Sequence, residues 1–178
     1  SRLTPAQASY YFLNGYTAKV AGTEMGVVQP EATFSACFGA AFLMHHPMRY
    51  SRLLAEKMRQ HNTNAWLVNT GWSGGGFGEG KRISLKNTRA IIQAIHNGTL
   101  AQTPTHIENV FGLAIPQAVD FCPSEILTPR DTWDNPLAYD QAAQNLADLF
   151  RDNFAQYIVE ADEGIIAAGP ALPLRKAG

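Results

Sequence analysis

Asn69 to Arg89 reads N-T-G-W-S-G-G-G-F-G-E-G-K-R-I-S-L-K-N-T-R. Six of the chain's 15 glycines fall between Gly71 and Gly80. A short apolar run, Ala65 to Val68, leads in, and a helical pattern beginning near Thr88 leads out. A strand, a glycine loop and a helix start form a common frame for an anion or nucleotide site, because glycine lets backbone N–H groups approach a ligand closely. Lys81 and Arg82 place two positive charges at the end of the loop. The P-loop pattern G-x-x-x-x-G-K-[ST] is met at Gly75, Gly80 and Lys81 but fails at Arg82, so the hydroxyl that would hold Mg²⁺ is missing. Lys81 to Leu85 also alternates charged and apolar residues like a short strand, whereas a P-loop runs straight into its helix. A structural hairpin loop with no ligand fits the local pattern as an alternative.

The bulk composition narrows the classes. The 178 residues make one domain or a piece of one, and 46% apolar content is enough for a real core. Charged residues are 16%, below the usual ~25%, which points to surface covered by other protein or to a chain that is part of something larger. A net charge of −1 gives no argument for nucleic acid or an anionic membrane surface. No apolar run reaches the ~18–20 residues of a membrane span, and the polar start Ser1-Arg2-Leu3-Thr4 is no signal peptide. Cys37 and Cys122, far apart and in apolar contexts, read as two buried thiols in a reducing compartment. The chain starts mid-pattern without Met and reads as a fragment.

Along the chain, Thr4-Pro5-Ala6-Gln7 has the form of a capping box with Pro at N1, predicting a helix to about Asn14 with Gly15 as its stop. Tyr16 to Val20 continues as a strand or a further turn of helix, and Gly22 to Gly26 is a loop. Glu31 to Leu43, small and apolar, has neither clean period and reads as buried connecting structure with close backbone contact at Gly39. His45-His46-Pro47 lacks a third ligand at a standard spacing, so no zinc site is assigned. Met48 to Gln60 is an amphipathic helix with Tyr50, Leu53, Leu54 and Met58 on its apolar face. Ala65 to Asn69 is a strand. Asn87 is the expected N-cap of a helix from Thr88 to Asn97, with Ala90, Ile91, Ala94 and Ile95 buried and Gly98 as its stop. Thr88 then either caps that helix or meets a ligand from its first turn. Ile107 to Ile115 reads as extended among several prolines, and Asp134 or Asn135 with Pro136 opens a last helix from about Leu137 to Tyr157. The tail after Gly169 is expected to fray.

Five blocks, in order along the chain, carry a resemblance. They are Tyr11 to Glu24 (Y-F-L-N-G-Y-T-A-K-V-A-G-T-E), Phe34 to Phe42 (F-S-A-C-F-G-A-A-F), Leu67 to Trp72 (L-V-N-T-G-W), Gly80 to Arg89 (G-K-R-I-S-L-K-N-T-R) and Leu113 to Pro116 (L-A-I-P). Together they resemble the C-terminal third of ATP-dependent phosphoenolpyruvate carboxykinases. The resemblance implies an α/β fold, with residues 1–178 the C-terminal portion of the nucleotide-binding domain, a mixed sheet with flanking helices. It implies a cytoplasmic carboxy-lyase of gluconeogenesis that turns oxaloacetate and ATP into phosphoenolpyruvate, CO₂ and ADP with Mg²⁺ and Mn²⁺. Its nucleotide-bordering positions carry over onto Arg82, Ile83 and Thr88.

By the same resemblance, the P-loop, the metal ligands and the arginines that hold oxaloacetate belong upstream, and none of those motifs stands in this chain. The expected partners are ATP, oxaloacetate or phosphoenolpyruvate, and the missing N-terminal portion of the same enzyme. No catalytic or metal residue is assigned here, and the chain alone is expected to be inactive. The alternative is a non-catalytic adenine-nucleotide-binding or interaction module derived from that enzyme.

Overall fold

A computed structural model describes residues 1–19 and 31–171. The expected loop Gly22 to Gly26 and the tail beyond Ala171 lie outside the described residues. The elements run β1 (Arg2–Leu3), α1 (Pro5–Asn14), β2 (Tyr16–Lys19), β3 (Glu31–Phe34), α2 (Pro47–His61), β4 (Ala65–Trp66), β5 (Trp72–Ser73), β6 (Lys81–Arg82), α3 (Leu85–His96), α4 (Thr99–Gln102), β7 (Thr105–Ile107), β8 (Ala114–Pro116), α5 (Pro136–Phe154) and α6 (Glu163–Ala167). The α/β class holds, with short strands gathered in small sheets. The residues group into two compact units, one of Ser1–Arg2, Trp66–Leu146 and Ala171, the other of Leu3–Ala65 and Ala147–Pro170.

The second unit is built on α1. Thr4 Oγ1 accepts from the Gln7 N–H at 3.2 Å and Gln7 Oε1 accepts from the Thr4 N–H at 3.0 Å, the reciprocal capping box that the sequence predicts. Gly15 ends the helix in the left-handed region, φ 55°, and its N–H returns to the Tyr11 carbonyl. The chain then enters β2, which pairs antiparallel with β3, Tyr16 opposite Phe34. Tyr10, Tyr11, Tyr16, Phe34, Phe150 and Phe154 form one aromatic cluster, with ring centroids 4.4 to 6.4 Å apart for the contacting pairs. Asn14, wholly buried, donates to the Tyr10 carbonyl and accepts from Asn153 Nδ2 at 2.8 Å, so its amide is satisfied where apolar packing surrounds it.

Two expectations fail in this unit. The stretch after β3 is two 3₁₀ turns, Ala36–Phe38 and Ala40–Phe42, with Phe38 56% and Phe42 88% exposed rather than buried. The two phenylalanines bring large apolar area that the described residues leave uncovered. The close backbone approach falls at Gly15 instead of Gly39. A Cβ at Gly15 would lie 1.7 Å from the Ser35 carbonyl oxygen, whereas one at Gly39 would meet nothing nearer than 3.8 Å. On α2, Met48, Ser51 and Met58 are the buried residues, and Leu53 is exposed.

The first unit carries the four-stranded sheet in the order β4-β1-β8-β7. Its core is Ala94, Leu100 and Val119, against which Trp66, Ile91, Ile95, Cys122 and Leu127 pack. Of the stripe expected on α3, Ala94 is buried and Ile91 and Ile95 pack half-buried against the core, while Ala90 is half-buried outside that cluster. The helix itself starts three residues earlier than expected. Ser84, not Asn87, is its N-cap, and Ser84 Oγ accepts from the Asn87 N–H at 3.2 Å. Leu85, read from sequence as the end of a strand, is the exposed first helical residue.

The strand from Ala65 also stops at Trp66 rather than Asn69. Ile107 to Ile115 is a hairpin, not one extended segment. The Glu108 carboxylate accepts from the Val110 and Phe111 N–H groups at 2.8 and 2.6 Å, and Gly112 takes a positive φ, so the chain folds back onto β7. At α5, Asn135 Oδ1 accepts from the Leu137 N–H at 3.0 Å, a cap at the expected position.

Candidate functional site: a polar cleft on a glycine hairpin

The stretch Asn69 to Arg89 folds as a hairpin feeding a helix. β5 and β6 pair antiparallel, with Trp72 opposite Arg82 and Ser73 opposite Lys81. The strand character of Lys81–Arg82, followed by a separate helix cap at Ser84, rules out P-loop geometry at this loop. The loop closes on its own backbone. The Gly80 N–H donates to the Gly76 carbonyl at 2.8 Å, and a Cβ at Gly80 would lie 2.3 Å from the Gly75 oxygen. Two contacts tie the hairpin base. Asn69 Oδ1 accepts from the Gly71 N–H and the Gly71 carbonyl accepts from the Ile83 N–H, each at 2.8 Å.

Two cavities flank the hairpin. One, of about 340 Å³, is chiefly apolar and includes Trp66, Trp72, Ile91, Val119 and Trp133 in its wall. The other, of about 450 Å³, is polar and is bordered by Glu79, Lys81, Arg82, Asn87, Thr132 and Asp134, among others. Ile83 and Ser73 face both. The polar cleft is held open on one side by a hydroxyl relay. Ser73 Oγ donates to Thr132 Oγ1 at 3.0 Å, and Thr132 Oγ1 donates to the Pro129 carbonyl at 2.7 Å.

Of the residues expected to border a nucleotide, Arg82 and Ile83 line the polar cleft. Arg82 Cζ sits 5.6 Å from the centroid of the Trp72 ring, inside the ~6 Å reach of a cation–π contact. Phe77 meets the same indole edge-on, with ring centroids 5.7 Å apart and planes at 87°. Among the described residues no carboxylate lies within ion-pair distance of Arg82 or Lys81. Arg130, by contrast, is committed. It makes a two-pronged pair with Asp140 at 2.8 and 3.0 Å, and those hydrogen bonds hold the Asp140 carboxyl below its ordinary value.

Thr88 borders neither cleft. It is the fourth residue of α3, and its N–H is taken by the Ser84 carbonyl at 3.0 Å, which leaves its hydroxyl as the group available to a ligand.

Trp72, Thr132 and Asp134 were not singled out from the sequence. Trp72 carried a signal, an aromatic residue opening a glycine run opposite a basic pair. Thr132 reaches the cleft from the end of a 3₁₀ turn some fifty residues downstream and Asp134 from the bend after it, and nothing local marks either as a cleft residue.

Other reactive groups are quiet. Among the described residues no group of three or more His, Cys, Asp or Glu gathers to hold a metal. His46 Nδ1 instead pairs with Glu160 Oε2 at 3.3 Å. Both cysteines are free thiols, half-buried, and burial pushes Cys37 up to about 11 and Cys122 in the same direction, away from nucleophilic thiolates.

Fold and site together define an α/β chain with a polar, glycine-edged cleft of mixed charge opening beside an arginine that lies over an indole. Comparison with known proteins gives that class a family. The sequence model of phosphoenolpyruvate carboxykinase matches residues 1–125. Phosphoenolpyruvate carboxykinase (ATP) 2 of Salinibacter ruber is 56% identical over 172 residues, 97% of this chain and 32% of that protein. The Eremothecium gossypii and Rhizobium leguminosarum proteins named phosphoenolpyruvate carboxykinase (ATP) are 52% and 50% identical over 174 and 172 residues, each with 97% of this chain and 32% of their own length covered. The chain belongs to the phosphoenolpyruvate carboxykinase family. It spans about a third of the length of the curated relatives it matches.

Proposed function

We propose that residues 1–178 are the C-terminal portion of the nucleotide-binding domain of an ATP-dependent phosphoenolpyruvate carboxykinase, a cytoplasmic enzyme. Its reaction takes oxaloacetate and ATP to phosphoenolpyruvate, CO₂ and ADP. In this reading the chain forms one wall of the ATP site. The observation that carries it is the Arg82 guanidinium, unpaired with any carboxylate among the described residues and lying over Trp72 at the rim of a cleft of about 450 Å³.

Each residue has a definable task. Arg82 offers planar donors to phosphate or ribose oxygens, or a flat cation beside the base. Lys81 adds a second charge. Ile83 supplies apolar contact between the two cavities, and its N–H is already used within the hairpin. The Thr88 hydroxyl donates to or accepts from base or sugar.

The divalent cations used in phosphoryl transfer neutralise charge on the transferred group when bound. The residues described here do not form a site for them, and no step is derived through a metal. Orientation of oxaloacetate and of the transferred phosphoryl group falls to parts of the family protein beyond these residues, so the 178-residue chain by itself is expected to form no phosphoenolpyruvate.

Titration of ATP into the chain by calorimetry, beside Arg82→Ala and Thr88→Ala, tests the assignment. Binding in the millimolar range or tighter is expected, with each substitution costing ~1–3 kcal/mol, the cost of an unmade charged or buried hydrogen bond. Binding that neither substitution weakens moves the nucleotide away from this hairpin. Absence of binding sinks the claim that this chain alone forms a nucleotide wall.

A further inference from the structure

Arg82 is exposed and lies on a two-residue strand, and among the described residues no carboxylate fixes its side chain. A long cation in that situation samples many rotamers and meets a ligand only part of the time. The exception here is its cross-strand neighbour. The antiparallel register sets Trp72 directly opposite Arg82, and the guanidinium rests 5.6 Å from the indole centroid. The indole has a contact of its own: it borders the apolar cavity on one side, and Phe77 meets its ring edge-on from the glycine loop. Phe77 is the one bulky side chain between Gly74 and Gly78, so the indole is where that loop has an apolar contact to make.

We propose that Trp72 is a positioning residue for the nucleotide: its ring holds the Arg82 guanidinium at the polar cleft, and Phe77 pins that ring from the glycine loop. The inference rests on the nucleotide reading above. It makes the glycine loop and the arginine one mechanical unit joined through a single side chain. Lys81, which meets no aromatic ring among the described residues, contributes charge without a fixed direction.

A double-mutant cycle on ATP binding by the full chain separates positioning from general packing. A surface cation–π contact predicts a loss of about two- to fivefold in ATP affinity for Trp72→Ala. Trp72→Phe, which keeps a ring face, should retain most of the affinity. In an Arg82→Ala background the Trp72→Ala change should add nothing, because there is no guanidinium left to place.

An independent readout is the Arg82 Nε–H proton resonance. It should be shifted upfield by the indole in the wild-type chain and return to the value of an exposed arginine in Trp72→Ala. Trp72→Ala losing as much affinity without Arg82 as with it would overturn the inference and leave the nucleotide reading standing. So would a wild-type Arg82 resonance with no ring shift. Arg82→Ala binding ATP as well as wild type would remove the nucleotide reading, and the inference with it.

Discussion

Three glycines of one loop should respond to alanine in three different ways. Gly80 has a φ outside the left-handed region, so alanine there carries no backbone strain, but its Cβ would stand 2.3 Å from the Gly75 oxygen, 2.8 Å from the Gly75 carbonyl carbon and 2.9 Å from the Ser73 oxygen. All three are backbone atoms, and the two sides of the hairpin must part to admit the methyl. Overpacking of that kind costs ~1–3 kcal/mol, and parting the loop also strains the 2.8 Å Gly80 N–H to Gly76 bond, worth about 1 kcal/mol. Gly80→Ala is therefore expected to destabilise by ~2–4 kcal/mol.

Gly78 meets nothing within 4 Å but has φ +92°. Alanine there carries only the backbone cost, ~1–2 kcal/mol. Gly76 has open space and no positive φ. Alanine there should be neutral or stabilise by up to ~1 kcal/mol through the unfolded chain. Urea unfolding followed by tryptophan fluorescence reads the series, with Trp72 beside the loop as a reporter. An equal response at Gly76 and Gly80 would refute the steric argument and the hairpin geometry behind it.

Two further outcomes are expected. Thr4→Ala removes the acceptor for the Gln7 N–H in the capping box of α1 and should lower stability by ~1 kcal/mol in urea unfolding; no change would mean that the box is not formed in solution. Asp140 is held below its ordinary value of 3.8 chiefly by the Arg130 hydrogen bonds. A carboxyl depressed in the folded state contributes stability that is present above 3.8 and is lost as pH falls through the folded value. Wild type and Asp140→Asn should therefore differ near neutral pH and converge below 3.8, and curves that stay parallel into acid would rule out that contribution.

The elements legible from sequence are those whose determinants lie within a few residues of one another. The α1 capping box, its Gly15 stop and the Asn135 opening of α5 are i to i+2, i+3 or i+4 interactions, so the pattern and the structure agree there. The failed P-loop is of the same kind, since one residue, Arg82, decides it. Family membership was legible as well, because five blocks in the same order, spread from Tyr11 to Pro116, leave little room for coincidence.

Tertiary structure decided what depends on distant partners. Ser84 and Asn87 are both competent caps, and the choice between them follows from where the β5–β6 hairpin ends, with Ile83 bonded back to Gly71. Glu108 became a turn because its carboxylate found two N–H groups, at a place where apolar content alone reads as strand. Gly15 matters more than Gly39 because Ser35, twenty residues away, approaches it. Thr132 and Asp134 joined Arg82 at the cleft only once the chain downstream had folded back. Local hydrogen bonds and torsional preferences are written in neighbouring residues. Close approach, cavity walls and the stack of Arg82 on Trp72 require segments to meet across space, and that is a property of the fold.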